Sequence, residues 1–403
     1  MKPILRAERM KPVHSDIRGP LFVEAMKRQK QGIDVLKLNT GNPATFGFGL
    51  PDSIKNALME HMQDGVGYCD FKGMPQARQA ICDYETSKGI TGITPDDVFI
   101  GNGVSEVVSF ALTPLLNDGD EVLVPSPSYS LWGNSVYLED GKPVFYTCDE
   151  KANWYPDIQD IRSKITDKTK AIVIINPNNP TGVLYPKEIL LEIIQVAREF
   201  GLLIFADEIY DRLVMDGKQH ISLASLTEDV PVITLNGLSK SHCLCGYRCG
   251  WMVISGPREL TEDYRQGIIQ LTSLRLCANT MAQIVIPAAL DDMETPASMI
   301  RPSGRIYEQR EATVRELEKI NGLSFVKNDA AFYVFPKLDV KKFNITNDKQ
   351  FDLLDATNIL LVPGSGFDWK DPDHFRIVML PQADVLSDAI RRMGTFLDGY
   401  KQK

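Results

Sequence analysis

Between residues 98 and 254 the chain repeats one pattern: a short run of apolar, often β-branched residues, a turn, and an amphipathic stretch. The runs fall at 98–100, 121–124, 171–175, 202–206, 232–235 and 251–254. The one at 171–175 reads Ala-Ile-Val-Ile-Ile without polar alternation, so both of its faces must be covered. Strands of this kind belong in a mainly parallel sheet with helices on either side. The intervening segments 106–116 and 187–200 carry helical spacing of apolar positions, the second opening after Pro186 and closing before Gly201. The expected fold class is therefore α/β. At 403 residues and 43% apolar content the chain can bury one large and one smaller core. Residues 51–290 are expected to form the large domain, with a mainly parallel sheet covered by helices. Residues 1–50, irregular and rich in Gly and Pro, are expected to join residues 291–403 in a smaller α+β domain, with strands at 331–335 and 359–362. Neither solenoid repeats nor low-complexity segments occur.

Charge and composition exclude several classes of function. The 44 basic and 53 acidic residues leave a net charge of −9, which argues against non-specific binding to nucleic acid or to anionic membranes. No apolar run approaches the length that spans a bilayer, and the N-terminus lacks an apolar export signal, so a cytoplasmic protein is expected. Seven cysteines, an odd number, read as free thiols in a reducing compartment. The group His242, Cys243, Cys245 and Cys249 contains metal-ligating residue types. Its C-x-C-x3-C spacing fits no common zinc pattern, and Leu244, Gly246 and Trp251 point to a packed segment, so no metal is expected.

In open α/β sheets ligands bind beyond the carboxyl ends of the strands, so polar residues that follow the apolar runs carry the most information. After 98–100 comes Gly101-Asn-Gly-Val-Ser-Glu106, either a tight turn or a strand-to-helix junction whose free N–H groups suit a phosphate. After 171–175 comes Asn176-Pro-Asn-Asn-Pro-Thr-Gly182, a stiff turn bearing amide side chains. Asp207, Glu208 and Tyr210 follow the run at 202–206; Asp207 is either a helix cap or a buried carboxylate in need of a cation. Lys240 follows 232–235, with Arg248 eight residues on. Arg376 lies inside the apolar run Phe375-Arg-Ile-Val378, where it needs an anion. Each signal alone has a structural explanation. Together they form the set that pyridoxal phosphate requires: a lysine for its aldehyde, a carboxylate for its ring nitrogen and donors for its phosphate, with an arginine left for a substrate carboxylate.

These segments, with Asn39-Thr-Gly-Asn-Pro43, Ala206-Asp-Glu-Ile-Tyr210, Ser239-Lys240 and Gly246-Tyr-Arg248, resemble the signature set of the fold-type-I, class I aminotransferases, in the same order and over essentially the whole chain. Asp16-Ile-Arg-Gly-Pro20, Gly67-Tyr-Cys-Asp70, Leu274-Arg-Leu-Cys-Ala-Asn279 and Asp373-His-Phe-Arg-Ile377 resemble the bacterial alanine (glutamate–pyruvate) aminotransferases. The resemblance implies that Lys240 forms the Schiff base with the cofactor and shuttles the proton, that Asp207 pairs with the ring nitrogen, and that Tyr210 and Asn179 bond its phenolic oxygen. It assigns Gly103, Val104, Ser105, Ser239 and Arg248 to the phosphate, and Tyr129 to the ring face. It assigns Arg376, Asn179 and the Gly41 backbone to the substrate α-carboxylate. Tyr68 would reach the phosphate of a neighbouring subunit, which implies a homodimer with shared active sites.

The chain departs from that pattern at Pro127-Ser-Tyr-Ser130, Cys243-Leu-Cys245 and Pro381-Gln382, where relatives carry Pro-Asp-Tyr-Pro, Arg-Ile-Ala and Pro-Arg. The expected reaction is transamination between an amino acid and a 2-oxo acid, with L-alanine and 2-oxoglutarate as the pair. Arg18 or Arg275 would read the distal carboxylate, the alternative for each being a structural salt bridge. The alternatives are a transaminase of another donor, such as valine or an aromatic amino acid, and a lyase using the same cofactor. A non-catalytic ligand-binding protein would not need every catalytic position filled. A nicotinamide dehydrogenase would leave Lys240 unexplained and lacks the third glycine after Gly103.

Overall fold

The computed structural model describes residues 2–348 and 351–402. Eight strands form the central sheet: β1 (Val98–Asn102), β2 (Glu121–Ser126), β3 (Lys142–Asp149), β4 (Tyr155–Pro156), β5 (Thr169–Ile175), β6 (Leu203–Asp207), β7 (Val232–Gly237) and β8 (Cys249–Ser255). Their spatial order is β1-β8-β7-β6-β5-β2-β3-β4. The stretch from β7 through β6, β5 and β2 to β3 is parallel, whereas β8 runs antiparallel to both of its neighbours and β4 closes the far edge antiparallel to β3.

The continuous apolar runs behave as their composition requires. In β5, Ile172 and Ile174 face a core shared with Leu190, Ile193, Ile194 and Ala197 of the helix Lys187–Phe200. Ala171, Val173 and Ile175 face the opposite core, shared with Val107, Val108 and Leu112 of the helix Val104–Leu112 and with Ile268 of the helix Arg258–Arg275. Each such Val, Leu or Ile side chain contributes roughly 1.5–3 kcal/mol when taken out of water, and register is pinned because a slip by one residue would exchange the two faces.

The helix at 187–200 has the limits expected, from Pro186 to Gly201, which takes φ 67°. The helix expected over 106–116 instead runs from Val104 to Leu112, because Pro114 has no N–H to extend the ladder. Two strands of the central sheet escaped sequence reading. β3 alternates buried and half-buried positions and includes Lys142, Pro143 and Asp149, and β4 is two residues long, so neither presents an apolar run.

In the carboxyl-terminal part the strand expected at 331–335 shortens to Tyr333–Val334, since Ala331 turns the chain at φ 59°. The strand expected at 359–362 divides. Ile359–Leu360 pairs with Leu36–Lys37, and Val362–Pro363 pairs with Phe375–Val378, so the two halves belong to different sheets. Among the described residues no single helix is long and apolar enough to cross a membrane; Arg258–Arg275 with Thr280–Asp291 reaches that length only as a pair bent by 119°.

Candidate active site

A cavity of about 490 Å³ opens where the strands β5, β6 and β7 end. β6 delivers Asp207 as its last residue, and β7 leads into the short helix Leu238–Ser241 that carries Ser239 and Lys240. Arg248 arrives differently. Because β8 is antiparallel, with Cys249 paired to Asn102, its first residues lie at the edge where β1 finishes, and Arg248 meets Gly103.

That meeting builds an anion cradle. Gly103 takes φ 85°, and a Cβ there would stand 2.1 Å from Arg248 Nη2. The guanidinium donates to Ser105 Oγ at 3.2 Å and to the Cys245 carbonyl at 2.9 Å. Val104, Ser105, Ser239 and Arg248 line the cavity with Gly103 behind them, so the free N–H groups of the helix Val104–Leu112 and one guanidinium converge on one spot.

Asp207 is buried, its carboxylate accepting from Trp132 Nε1 at 3.1 Å and from the Ile209 N–H at 3.4 Å. No lysine, arginine or histidine pairs with it among the described residues. Burial raises its pKa to about 6, with the Trp132 hydrogen bond opposing the shift. Arg376 is the reverse case. It is 1% exposed, donates to Asn179 Oδ1 at 2.9 Å and to the Asn39 carbonyl, and lies 4.6 Å from the ring centroids of both Tyr333 and Phe367. No carboxylate faces it among the described residues, Nε has no partner, and burial lowers its pKa. One cavity thus holds a buried carboxylate without a cation and a buried guanidinium without an anion, each expensive unless a ligand of opposite charge completes it.

Lys240 Nζ donates to the Gly41 carbonyl at 2.9 Å and has Cys245 Sγ at 3.9 Å. Tyr210 shares a 2.9 Å hydrogen bond with Tyr333, and burial holds its pKa well above the usual phenol range. Tyr129, Asn179, Gly41 and Arg18 also line the cavity. Tyr68 is 83% exposed and lies outside this cavity.

Other expectations need correction. Arg275 is taken up by Glu106 at 2.6 Å and by the Phe71 and Ile100 carbonyls and does not line the cavity, whereas Arg18 does. Cys249 is buried in β8 and Cys243 packs on Met299, as a packed segment requires, but the Cys245 thiol faces the cavity. His242 is buried and kept neutral, its pKa lowered to about 4 by burial. The described residues with the spacing of a metal site are instead Glu208, Asp211 and His220. There the Lys88 ammonium stands 2.7 Å from Glu208 and 3.1 Å from Asp211 and fills the cation's place. Sequence reading missed Trp132, Tyr333 and Phe367, which look like ordinary core aromatics until the fold turns them toward charge.

The uncompensated carboxylate, the anion cradle and the lysine fit pyridoxal phosphate, whose ring nitrogen, phosphate and aldehyde match them one for one. Comparison with known proteins agrees. The family model for aminotransferase class I and II matches residues 33–392. The glutamate-pyruvate aminotransferase AlaA of Haemophilus influenzae is 49% identical over the full length of both chains. The crystal structure of an aminotransferase from Escherichia coli superposes with a TM-score of 0.98 at 47% identity, covering 100% of both chains. An alanine aminotransferase from Pyrococcus furiosus gives 0.92 at 40%, covering 98% of this chain and 100% of the other. The chain belongs to the class I and II aminotransferases, enzymes that work with pyridoxal phosphate.

Proposed function

We propose that this enzyme transfers the amino group of L-alanine to 2-oxoglutarate, giving pyruvate and L-glutamate. The observation that carries the reading is the pair of opposite uncompensated charges, Asp207 and Arg376, in the same cavity as Lys240. Pyridoxal phosphate, when bound, supplies an aldehyde that takes up amines and a protonated ring that draws electrons from the substrate Cα.

The chain's residues do the rest. Asp207 keeps the ring nitrogen protonated, because a carboxylate this deeply buried stabilises a cation better than water would. Arg248, Ser105, Ser239 and the N–H groups after Gly103 hold the phosphate, while Tyr129 covers one ring face. Tyr210 and Asn179 supply hydrogen bonds to the phenolic oxygen. Arg376, fixed by Asn179 and clamped between two rings, takes the α-carboxylate, with the Gly41 backbone closing the pocket; charge-assisted bonds of this kind contribute roughly 1.5–3 kcal/mol each. Lys240 then removes the proton from Cα and returns it one carbon away, which demands the neutral amine at the moment of transfer. Arg18, on the cavity wall beside Ser15 and Ile17, reads the distal carboxylate of glutamate.

The same reading includes a homodimer in which Tyr68 completes the partner's site, a role its 83% exposure allows and which exposed Val66 and Leu274 support as a contact surface. It includes a smaller domain of residues 1–50 and 291–403 around the large one of 51–290, in keeping with the pairing of Leu36–Lys37 with Ile359–Leu360. It also includes a cytoplasmic location, in keeping with seven free cysteines.

The test is spectroscopic. Purified enzyme should lose its visible absorbance on addition of L-alanine and regain it with 2-oxoglutarate, and Lys240→Ala should do neither. Ammonia released with pyruvate in the absence of any 2-oxo acid would refute the reading in favour of a lyase. Arg18→Leu should lower kcat/KM for glutamate at least tenfold and leave alanine within about twofold, since only the five-carbon substrate carries a second charge.

A further inference from the structure

Beyond lending one of the two rings that flank Arg376, Tyr333 has no part in the roles above, yet it touches three of their members. It is 2% exposed, and its hydroxyl stands 2.9 Å from that of Tyr210. Its ring lies under the Arg376 guanidinium at 4.6 Å. A Cβ on Gly41 would stand 2.3 Å from the same hydroxyl, so the phenol abuts the backbone whose carbonyl receives Lys240 Nζ. Burial among Tyr210, Phe332 and Val378 leaves the ring no room to swing away, and the backbone that carries it is fixed on both sides. Tyr333 pairs with Val378, Phe332 accepts from the Met379 N–H at 2.8 Å, and the Ala331 N–H donates to Leu213 at 2.9 Å.

We infer that Tyr333 is a positioning residue that sets the direction of the Tyr210 hydroxyl proton and links it to the carboxylate anchor Arg376. Two phenols that share one hydrogen bond have two protons between them, and only one lies in that bond. A cation on the face of Tyr333 draws electron density from its ring and makes it the better donor. Tyr210 therefore accepts from Tyr333 and turns its own proton into the cavity, toward the phenolic oxygen of the cofactor. The other ionisable groups facing the pair are Lys240, Asp207, Tyr129 and Cys245. When a substrate carboxylate neutralises Arg376, the bias on Tyr333 relaxes and the Tyr210 hydrogen bond weakens. Occupancy of the substrate site thereby reaches the cofactor by a route separate from Asn179. This rests on the roles proposed above for Tyr210 and Arg376.

The experiment follows the visible absorbance of the holoenzyme against pH in wild type, Tyr333→Phe, Tyr210→Phe and the double variant. A hydrogen bond to the phenolic oxygen favours the deprotonated cofactor, so weakening it raises the midpoint. Tyr333→Phe should raise the midpoint by about 0.5 unit, the size expected when a charge-assisted bond loses its cooperative partner. In the Tyr210→Phe background the second substitution should add nothing. Propionate, which has a carboxylate and no amine, should shift the midpoint less in Tyr333→Phe than in wild type. An unchanged midpoint in Tyr333→Phe, or an equal shift in both backgrounds, overturns the inference. A raised KM for alanine with the midpoint unmoved would also overturn it, placing the hydroxyl on the substrate. Wild-type protein without a visible band, or Lys240→Ala that keeps the band unaltered, overturns the reading of the site itself and is seen before any tyrosine variant is compared.

Discussion

Replacing Asp207 with Asn should make the protein without cofactor more stable and its cofactor binding weaker. Asn keeps the acceptor for Trp132 Nε1 and removes only the charge. In the cofactor-free protein burial holds the Asp207 pKa at about 6, above the ordinary carboxylate value of 3.8. A carboxyl group raised on folding stabilises the protein fully below its unfolded pKa, and that contribution is lost as pH rises through about 6. At pH 8 the ionised wild-type side chain thus costs about 3 kcal/mol, which Asp207→Asn should recover; at pH 4 the two proteins should melt together. Binding has the opposite sign. The ring cation needs the ionised carboxylate, so wild-type affinity falls by up to tenfold per pH unit below about 6 through this group, and not above about 7. Asp207→Asn should lose that increment and bind about 100-fold more weakly at pH 8, because a buried cation left without its partner costs about 3 kcal/mol or more. The assay is paired thermal melts of cofactor-free protein at pH 4, 6 and 8 with cofactor titrations followed by quenching of tryptophan fluorescence. The phosphate titrates in both proteins and cancels in the comparison. A variant that melts no higher than wild type at pH 8, or that binds cofactor equally well, refutes the assignment of Asp207 as an uncompensated buried charge.

Three other outcomes follow from the same structure. Lys88→Met strands Glu85, Glu208 and Asp211 without their cation and should destabilise the fold by about 3–5 kcal/mol near pH 8. The deficit should shrink as acid protonates the carboxylates, and a pH-independent loss under about 1 kcal/mol would count against it. His14 is gripped by Asp16 and Asp368, which together raise its pKa to about 10, so the clasp is complete below about pH 6.5 and fails as pH rises through about 10. The pair is partly exposed and contributes about 1 kcal/mol or less. His14→Ala should speed amide exchange across residues 13–18 at pH 7 and raise KM for glutamate more than it changes kcat; equal exchange in both proteins would exclude the clasp. Cys245→Ala should retain turnover within about threefold yet resist inactivation by a small alkylating reagent, since this thiol faces the cavity while Cys249 is buried. Inactivation at the wild-type rate would place the reactive thiol elsewhere.

Much of the architecture was legible because its causes are local. An apolar run without alternation can only be a strand covered on both faces, and Pro186 and Gly201 bound a helix wherever it packs. The lysine and the carboxylate were legible for a related reason: parallel strands deliver whatever follows them to one edge, so Asp207 and Lys240 were bound to meet. The short and half-buried strands β3 and β4 were invisible because they present no apolar run. Tyr333, Trp132 and Phe367 were invisible as site residues because an aromatic side chain shows nothing in sequence of the charge it will face.

By itself, then, the amino-acid sequence determined the α/β class, the strand ends and the kinds of group gathered there. The tertiary structure decided which of them touch. The antiparallel course of β8 carries Arg248 back to Gly103, and Glu106 captures Arg275 while Arg18 stays on the cavity wall. The reason is that hydrophobic periodicity and turn chemistry act over a few residues, whereas a buried charge is governed largely by partners far along the chain, Trp132 for Asp207 and Asn179 for Arg376, and only the folded chain brings those within a few ångströms.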